Sequence, residues 1–107
     1  MFLGVALGAF GAHALKGKVE PYFLDAFKTG VLYHLIHALG LFAVVWLSTI
    51  TQDPKIFWAG VLMVTGIVLF SGSLYIMSVS GIRALGAITP FGGLCFLAAW
   101  VLIFISK

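Results

Sequence analysis

The residues of this chain with the most chemical potential lie on one short run. His34 and His37 stand one helical turn apart, and Asp25, Thr29, Tyr33 and His37 follow one another in steps of four. On a helix those steps make a polar ridge along one side. Imidazole can carry a proton or bind a metal, but no zinc-site spacing links His13, His34 and His37, and the apolar stretches hold no cysteine or carboxylate partners for them. Haem ligation would need two imidazoles on opposed helices, such as His13 and His37, and nothing else in the sequence supports it. Ser71 or Ser73 with His37 as base would resemble a nucleophilic pair, but no acid is placed to orient the histidine. A serine hydroxyl can also bond back to its own helix. The expectation is therefore no metal, no cofactor and no enzyme chemistry. The candidate polar interior is His13, Tyr33, His37, Ser71, Ser73, Tyr75 and Thr89.

These groups need elements that hold them inside something apolar. Only six Lys or Arg and three Asp or Glu occur among 107 residues, and the mean hydropathy is +1.20. A small water-soluble domain must cover a large surface with polar groups, and this chain cannot, so it is a membrane protein. Four apolar stretches carry the sequence, at about 1–15, 31–50, 56–79 and 84–105. A span takes roughly 20 helical residues, so four helices use almost the whole chain as one domain, residues 1–107. The first stretch is short. Its Ala12-His13-Ala14 mimics a signal-peptide cleavage site, but no basic segment precedes it. The segment Pro21–Lys28 is amphipathic and forms either the start of a long second helix or an interfacial turn.

The prolines punctuate these stretches. Pro21 and Pro54 mark helix starts, where a missing N–H costs nothing, and Asp53 is the natural cap. At Pro90 the fourth helix is either kinked or replaced by a buried non-helical lead-in. Small residues supply the packing. Gly4, Gly8 and Gly11 in the first stretch, Gly72 in the third, and Gly92 and Gly93 in the fourth are expected where helix backbones approach closely. Trp46, Trp58 and Trp100 read as interface anchors. Cys95, the single cysteine, reads as a small core hydrophobe. The predicted fold is an all-α transmembrane four-helix bundle with a short first helix.

Four motifs together carry a family resemblance. They are Leu7-Gly8-Ala9-Phe10-Gly11-Ala12-His13; Thr29-Gly30-Val31 with Tyr33-His34 and His37-Ala38-Leu39; Phe70-Ser71-Gly72-Ser73-Leu74-Tyr75; and Gly86-Ala87-Ile88-Thr89-Pro90 with Gly92-Gly93. The chain resembles small bacterial four-span membrane proteins grouped as a domain of unknown function, relatives of animal transmembrane protein 256. The resemblance implies an integral membrane protein and no known activity, substrate or cofactor. Family members usually have about ten more residues before the first glycine motif, enough to complete a span, which predicts a truncated first helix or a misassigned start. The family often has Gln where this chain has His34.

Composition excludes two further classes. No nucleotide-binding glycine motif is present, and a scattered net charge of +3 is no nucleic-acid footprint. The expected role is a structural or interaction module in the plasma membrane, with lipid, a second copy or another membrane protein as partner. The alternative is a small carrier, channel or ligand-binding protein that uses the His/Tyr interior. Lys16, Lys18, Lys28 and Arg83 share one side and Lys55 and Lys107 the other, so the positive-inside rule places both termini outside.

Overall fold

The computed structural model describes residues 1–107 and contains four helices and no strand. They are α1 (Phe2–Leu15), α2 (Pro21–Ile50), α3 (Pro54–Ser80) and α4 (Arg83–Ile105). The last three are long and apolar enough to cross a bilayer, and α1 is shorter. Many large apolar side chains face outward, Phe104 at 88% and Phe2 at 84% exposure among them. Lipid solvates such a surface, whereas water would drive it to aggregate.

The punctuation follows local chemistry. Pro21 and Pro54 open α2 and α3. Pro21–Lys28 is continuous with the span behind it, so α2 is one helix of 30 residues. Glu20 makes no cap bond. Its carboxylate instead meets Arg83 at 3.1 Å, and the Arg83 guanidinium lies 4.7 Å from the Tyr22 ring centroid. This joins the start of α4 to the start of α2. Gly81 ends α3 at φ 75°, donating its N–H to the Met77 carbonyl, a left-handed closure that favours glycine.

The fourth helix resolves the two readings of Pro90. Arg83–Ala87 is a 3₁₀ turn leading directly into an α-helical segment from Thr89. The whole element bends by 27°. Proline offers no N–H to the carbonyl four residues earlier. The backbone there tightens to i→i+3 bonds, Ile88 to Leu85 and Phe91 to Ile88, each 3.1 Å.

Two helices also contain a wider π turn, Leu7–Gly11 in α1 and Ile67–Ser71 in α3. In α3 the Gly72 N–H reaches back five residues to the Ile67 carbonyl. The buried positions therefore run Ala59, Met63, Gly66, then Ser71, Leu74 and Ser78, with a step of five where the π turn falls.

Two apolar clusters close the ends of the bundle. Val44, Ile56, Ala59, Met63 and Ala99 pack at one end. Phe23, Leu74 and Met77 pack at the other. The buried histidines and Ser71 lie between them along α2 and α3. At the first end the Asp53 carboxylate caps α3, accepting from the Lys55 N–H at 3.0 Å. It also accepts from the Lys107 N–H at 2.8 Å. Those two N–H groups, the first above all, hold the Asp53 carboxyl below the usual aspartate range. A carboxylate with a depressed folded-state pKa stabilises the fold fully above its ordinary value of about 3.9 and loses that contribution as pH falls through the lower folded value. Thermal unfolding in detergent should therefore fall more steeply below about pH 4 in the native chain than in Asp53→Asn. Parallel profiles would contradict this.

Candidate functional site

The polar interior is built mainly from α2 and α3, with α4 closing it. His37 is buried, at 4% exposure. Its Nδ1 lies 2.8 Å from the Tyr33 carbonyl, and the Trp100 indole N–H donates to its Nε2 at 2.9 Å. A carbonyl can only accept and an indole N–H can only donate. The two partners thus require a neutral imidazole with its proton on Nδ1. The ring is also stacked on Phe96, with centroids 3.6 Å apart. His34, one turn earlier, shares a 2.9 Å hydrogen bond with the Tyr75 hydroxyl on α3.

The serines of α3 work differently. Ser71, fully buried, donates to the Gly30 carbonyl on α2 at 2.7 Å. Ser78 donates to the Phe23 carbonyl on α2 at 2.8 Å. Ser73 shares a 2.6 Å bond with Thr89 on α4. Each one links two helices. Among buried side-chain nitrogens and oxygens, every one has a partner within the protein.

Of the residues expected in the polar interior, Tyr33, His37, Ser71, Ser73, Tyr75 and Thr89 lie along the contact of α2, α3 and α4. His13 does not join them. It is exposed near the end of α1, two residues and so about 200° around the helix from Gly11, whose face meets α2. Tyr33 contributes its carbonyl to His37, while its hydroxyl bonds to no protein atom and the residue is 38% exposed. Asp25 and Thr29, the outer half of the ridge, are exposed. Thr29 bonds back to the Asp25 carbonyl.

The sequence reading missed three participants. Trp100 was expected to anchor at the interface, but it is the donor to His37. His34 and Ser78 were left out of the interior. His34 stands one turn from His37 on the same helix, a spacing that could have found it. Nothing local marks Trp100, because its role arises only when α4 meets α2.

The glycines separate in the same way. A methyl at Gly4, Gly8 or Gly11 would meet Leu35, Val31 or Phe27, all on α2. α1 thus lies along α2 through this stripe. A methyl on Gly92 would run into the Phe70 backbone, 2.7 Å from its Cα, and Gly93 stands in ordinary contact with the Phe70 ring. Gly72 is a correction: a methyl there meets nothing nearer than the Ile67 carbonyl at 4.0 Å. The π turn gives the buried face to Ser71 and turns Gly72 away. The close approach in α3 belongs instead to Gly66, where a methyl would meet the Phe96 ring and, at 3.1 Å, the Gly92 carbonyl. No group of three or more His, Cys, Asp or Glu side chains converges anywhere in the fold.

Apolar helices long enough to span, wrapped around a self-paired polar interior, define a multi-pass α-helical membrane protein. Residues 7–93 match the family described as "Protein of unknown function (DUF423)", and the chain belongs to that family. It is similar to the UPF0382 membrane protein YwdK of Bacillus subtilis, 52% identical over 97% of this chain and 85% of the relative. It is 45% identical to the UPF0382 membrane protein SH2409 of Staphylococcus haemolyticus, over 97% of this chain and 84% of the relative. With the UPF0382 inner membrane protein YgdD of Escherichia coli it shares 36% identity, over 98% of this chain and 80% of the relative. No solved structure matches this chain.

Proposed function

We propose that this chain is a structural or interaction module of the bacterial plasma membrane. It neither performs a reaction nor moves an ion. The observation that carries this reading is the complete internal pairing of the buried polar atoms. His37 spends both ring nitrogens on Tyr33 and Trp100, and the α3 serines reach across to α2 and α4. Groups committed to one another lock helices in register, because breaking such a bond inside hydrocarbon strands a polar atom. A proton or ion path needs groups free to exchange partners.

The test is a flux measurement. The purified chain, reconstituted into vesicles loaded with a pH-sensitive dye, should pass protons, sodium or potassium no faster than empty vesicles do. Flux that His37→Gln abolishes would overturn the reading in favour of a carrier or channel.

The inner-membrane name of the E. coli relative supports a plasma-membrane location, and charge supports an orientation. The turn after α1 carries Lys16 and Lys18, and the Glu20–Arg83 contact ties it to the start of α4. Lys55 and Lys107 lie at the opposite end, where Asp53 joins them. The positive-inside rule puts Lys16, Lys18 and Arg83 in the cytoplasm and both termini outside. A C-terminal alkaline phosphatase fusion should be active and a green fluorescent protein fusion dark. The reverse pattern would refute this orientation.

A further inference from the structure

One imidazole closes the seam between α2 and α4. Both helices pack along α3, and inside the membrane they reach each other through side chains. Phe96 stacks on the His37 ring at 3.6 Å, and the Trp100 indole N–H meets His37 Nε2 at 2.9 Å. A groove of about 550 Å³ opens beside them, with His37, Phe96 and Trp100 in its lining. We infer that Trp100 is a proton-operated gate: a second proton on His37 expels the indole and opens the imidazole to the groove.

The hydrogen-bond pattern decides which bond gives way. Nδ1 already carries a proton and donates it to the Tyr33 carbonyl at 2.8 Å, so a second proton can land only on the Nε2 lone pair that Trp100 holds. Two N–H groups then face each other, and neither can accept. The Tyr33 bond survives and strengthens, because its donor is now charged. The Phe96 face stays against the ring and favours a cation there. The imidazolium is therefore held in place while the indole loses its acceptor.

Trp100 has somewhere to go. It is 41% exposed in the closed form, so rotation of the side chain alone carries the ring into lipid. It lies seven residues before Lys107, about 10 Å along the axis, within reach of the headgroup region where indole is favoured. The helices need not part. Glu20–Arg83 at 3.1 Å and Thr51–Lys107 at 3.0 Å tie the two ends of the seam independently.

No other charge competes for His37. On α2 the titratable neighbours are Tyr33 and His34, and His34 is turned to Tyr75 of α3 at 2.9 Å. The ridge carboxylate, Asp25, is twelve residues away, about 18 Å along the axis. α4 adds Cys95, and Lys55 and Arg83 stand in the first turns of α3 and α4. The open form binds a proton for which the closed form has no free lone pair, so acid favours opening. An imidazole that reaches water titrates near 6.5, so lowering the pH from 8 to 5 tilts the balance by about thirtyfold. An interhelical bond in a membrane favours the closed form by about threefold to twentyfold. The tilt exceeds the bond.

This inference rests on the reading of a self-paired interaction module and adds its regulation. Fluorescence quenching by brominated phosphatidylcholine tests it. Trp46 and Trp58 face outward, so Trp46→Phe with Trp58→Phe leaves Trp100 as the one reporter in a full-length chain. In vesicles of the brominated lipid, its quenching should rise about twofold or more from pH 8 to pH 5, above the range where Asp53 titrates. His37→Gln in that background should abolish the pH dependence, and His34→Gln should leave it intact. Quenching that does not change with pH, an equal rise in His37→Gln, or loss of the rise in His34→Gln would each overturn the gate. If His37→Gln fails to fold, the unaltered histidine and His34→Gln still decide. The flux assay reports separately: pH-independent quenching without flux removes the gate and leaves the module standing.

Discussion

Gly92→Ala should destabilise the protein by about 1–3 kcal/mol or more, the range for overpacking a tight contact. The added methyl would lie against the Phe70 backbone nitrogen and 2.7 Å from its Cα. A flexible side chain could swing aside, but backbone in the middle of α3 cannot. The helices must separate, and without hydrophobic driving force in lipid, dispersion at that contact is much of what holds them. Gly93→Ala is the internal control. There the nearest atoms are Phe70 ring carbons at 3.9 and 4.0 Å, so the methyl fits. The better helix propensity of alanine should make that variant neutral or up to about 1 kcal/mol more stable. Thermal unfolding of both variants in the same detergent gives the comparison. Equal stabilities would mean that α3 and α4 do not meet through Gly92.

Trp100→Phe should give the second large effect. It keeps the aromatic bulk and removes only the N–H that donates to His37 Nε2 at 2.9 Å. His37 is almost fully enclosed. An unpaired buried acceptor costs about 1–3 kcal/mol in soluble proteins. Interhelical bonds measured in a membrane average closer to 0.6 and reach about 1.7. The lower range is the better guide, because the unfolded chain in a membrane also finds partners. The decisive quantity is the coupling. His37→Leu together with Trp100→Phe should cost less than the two single changes added, since the second change then strands nothing. Strict additivity would show that the bond contributes nothing.

The helices themselves were legible in the sequence. Hydrocarbon demands long apolar runs, and Pro21 and Pro54 announce where α2 and α3 start. The α1 glycine stripe was legible as well, because spacings of three and four place Gly4, Gly8 and Gly11 along one side. What escaped was whatever depended on two helices meeting, or on a break in helical period. The Trp100–His37 bond joins residues 63 apart in sequence, and no local spacing encodes it. The exchange of Gly66 for Gly72 comes from the π turn at Ile67–Ser71, which a constant period of 3.6 cannot foresee. His13 was grouped with the interior by residue type, whereas its rotation from the α1 glycine stripe takes it outside. The split at Pro90 was visible, but its resolution as a 3₁₀ turn followed by α-helix depended on how Leu85 and Ile88 could satisfy the backbone.

The π turn of α3 also sets where this chain can change length. Gly66 and Leu74, both on the buried face, are eight residues apart. Seven residues would make about two ordinary α-helical turns. Loss of one residue within 67–71 would therefore let the helix close as regular α, with both halves still facing the same neighbours. The same deletion elsewhere in α3 would rotate everything beyond it by about 100° and carry a whole row of contacts off α2. The turn is the one point in α3 where the loss of a single residue can be absorbed, as if an extra residue had once been accepted there and never needed to be removed.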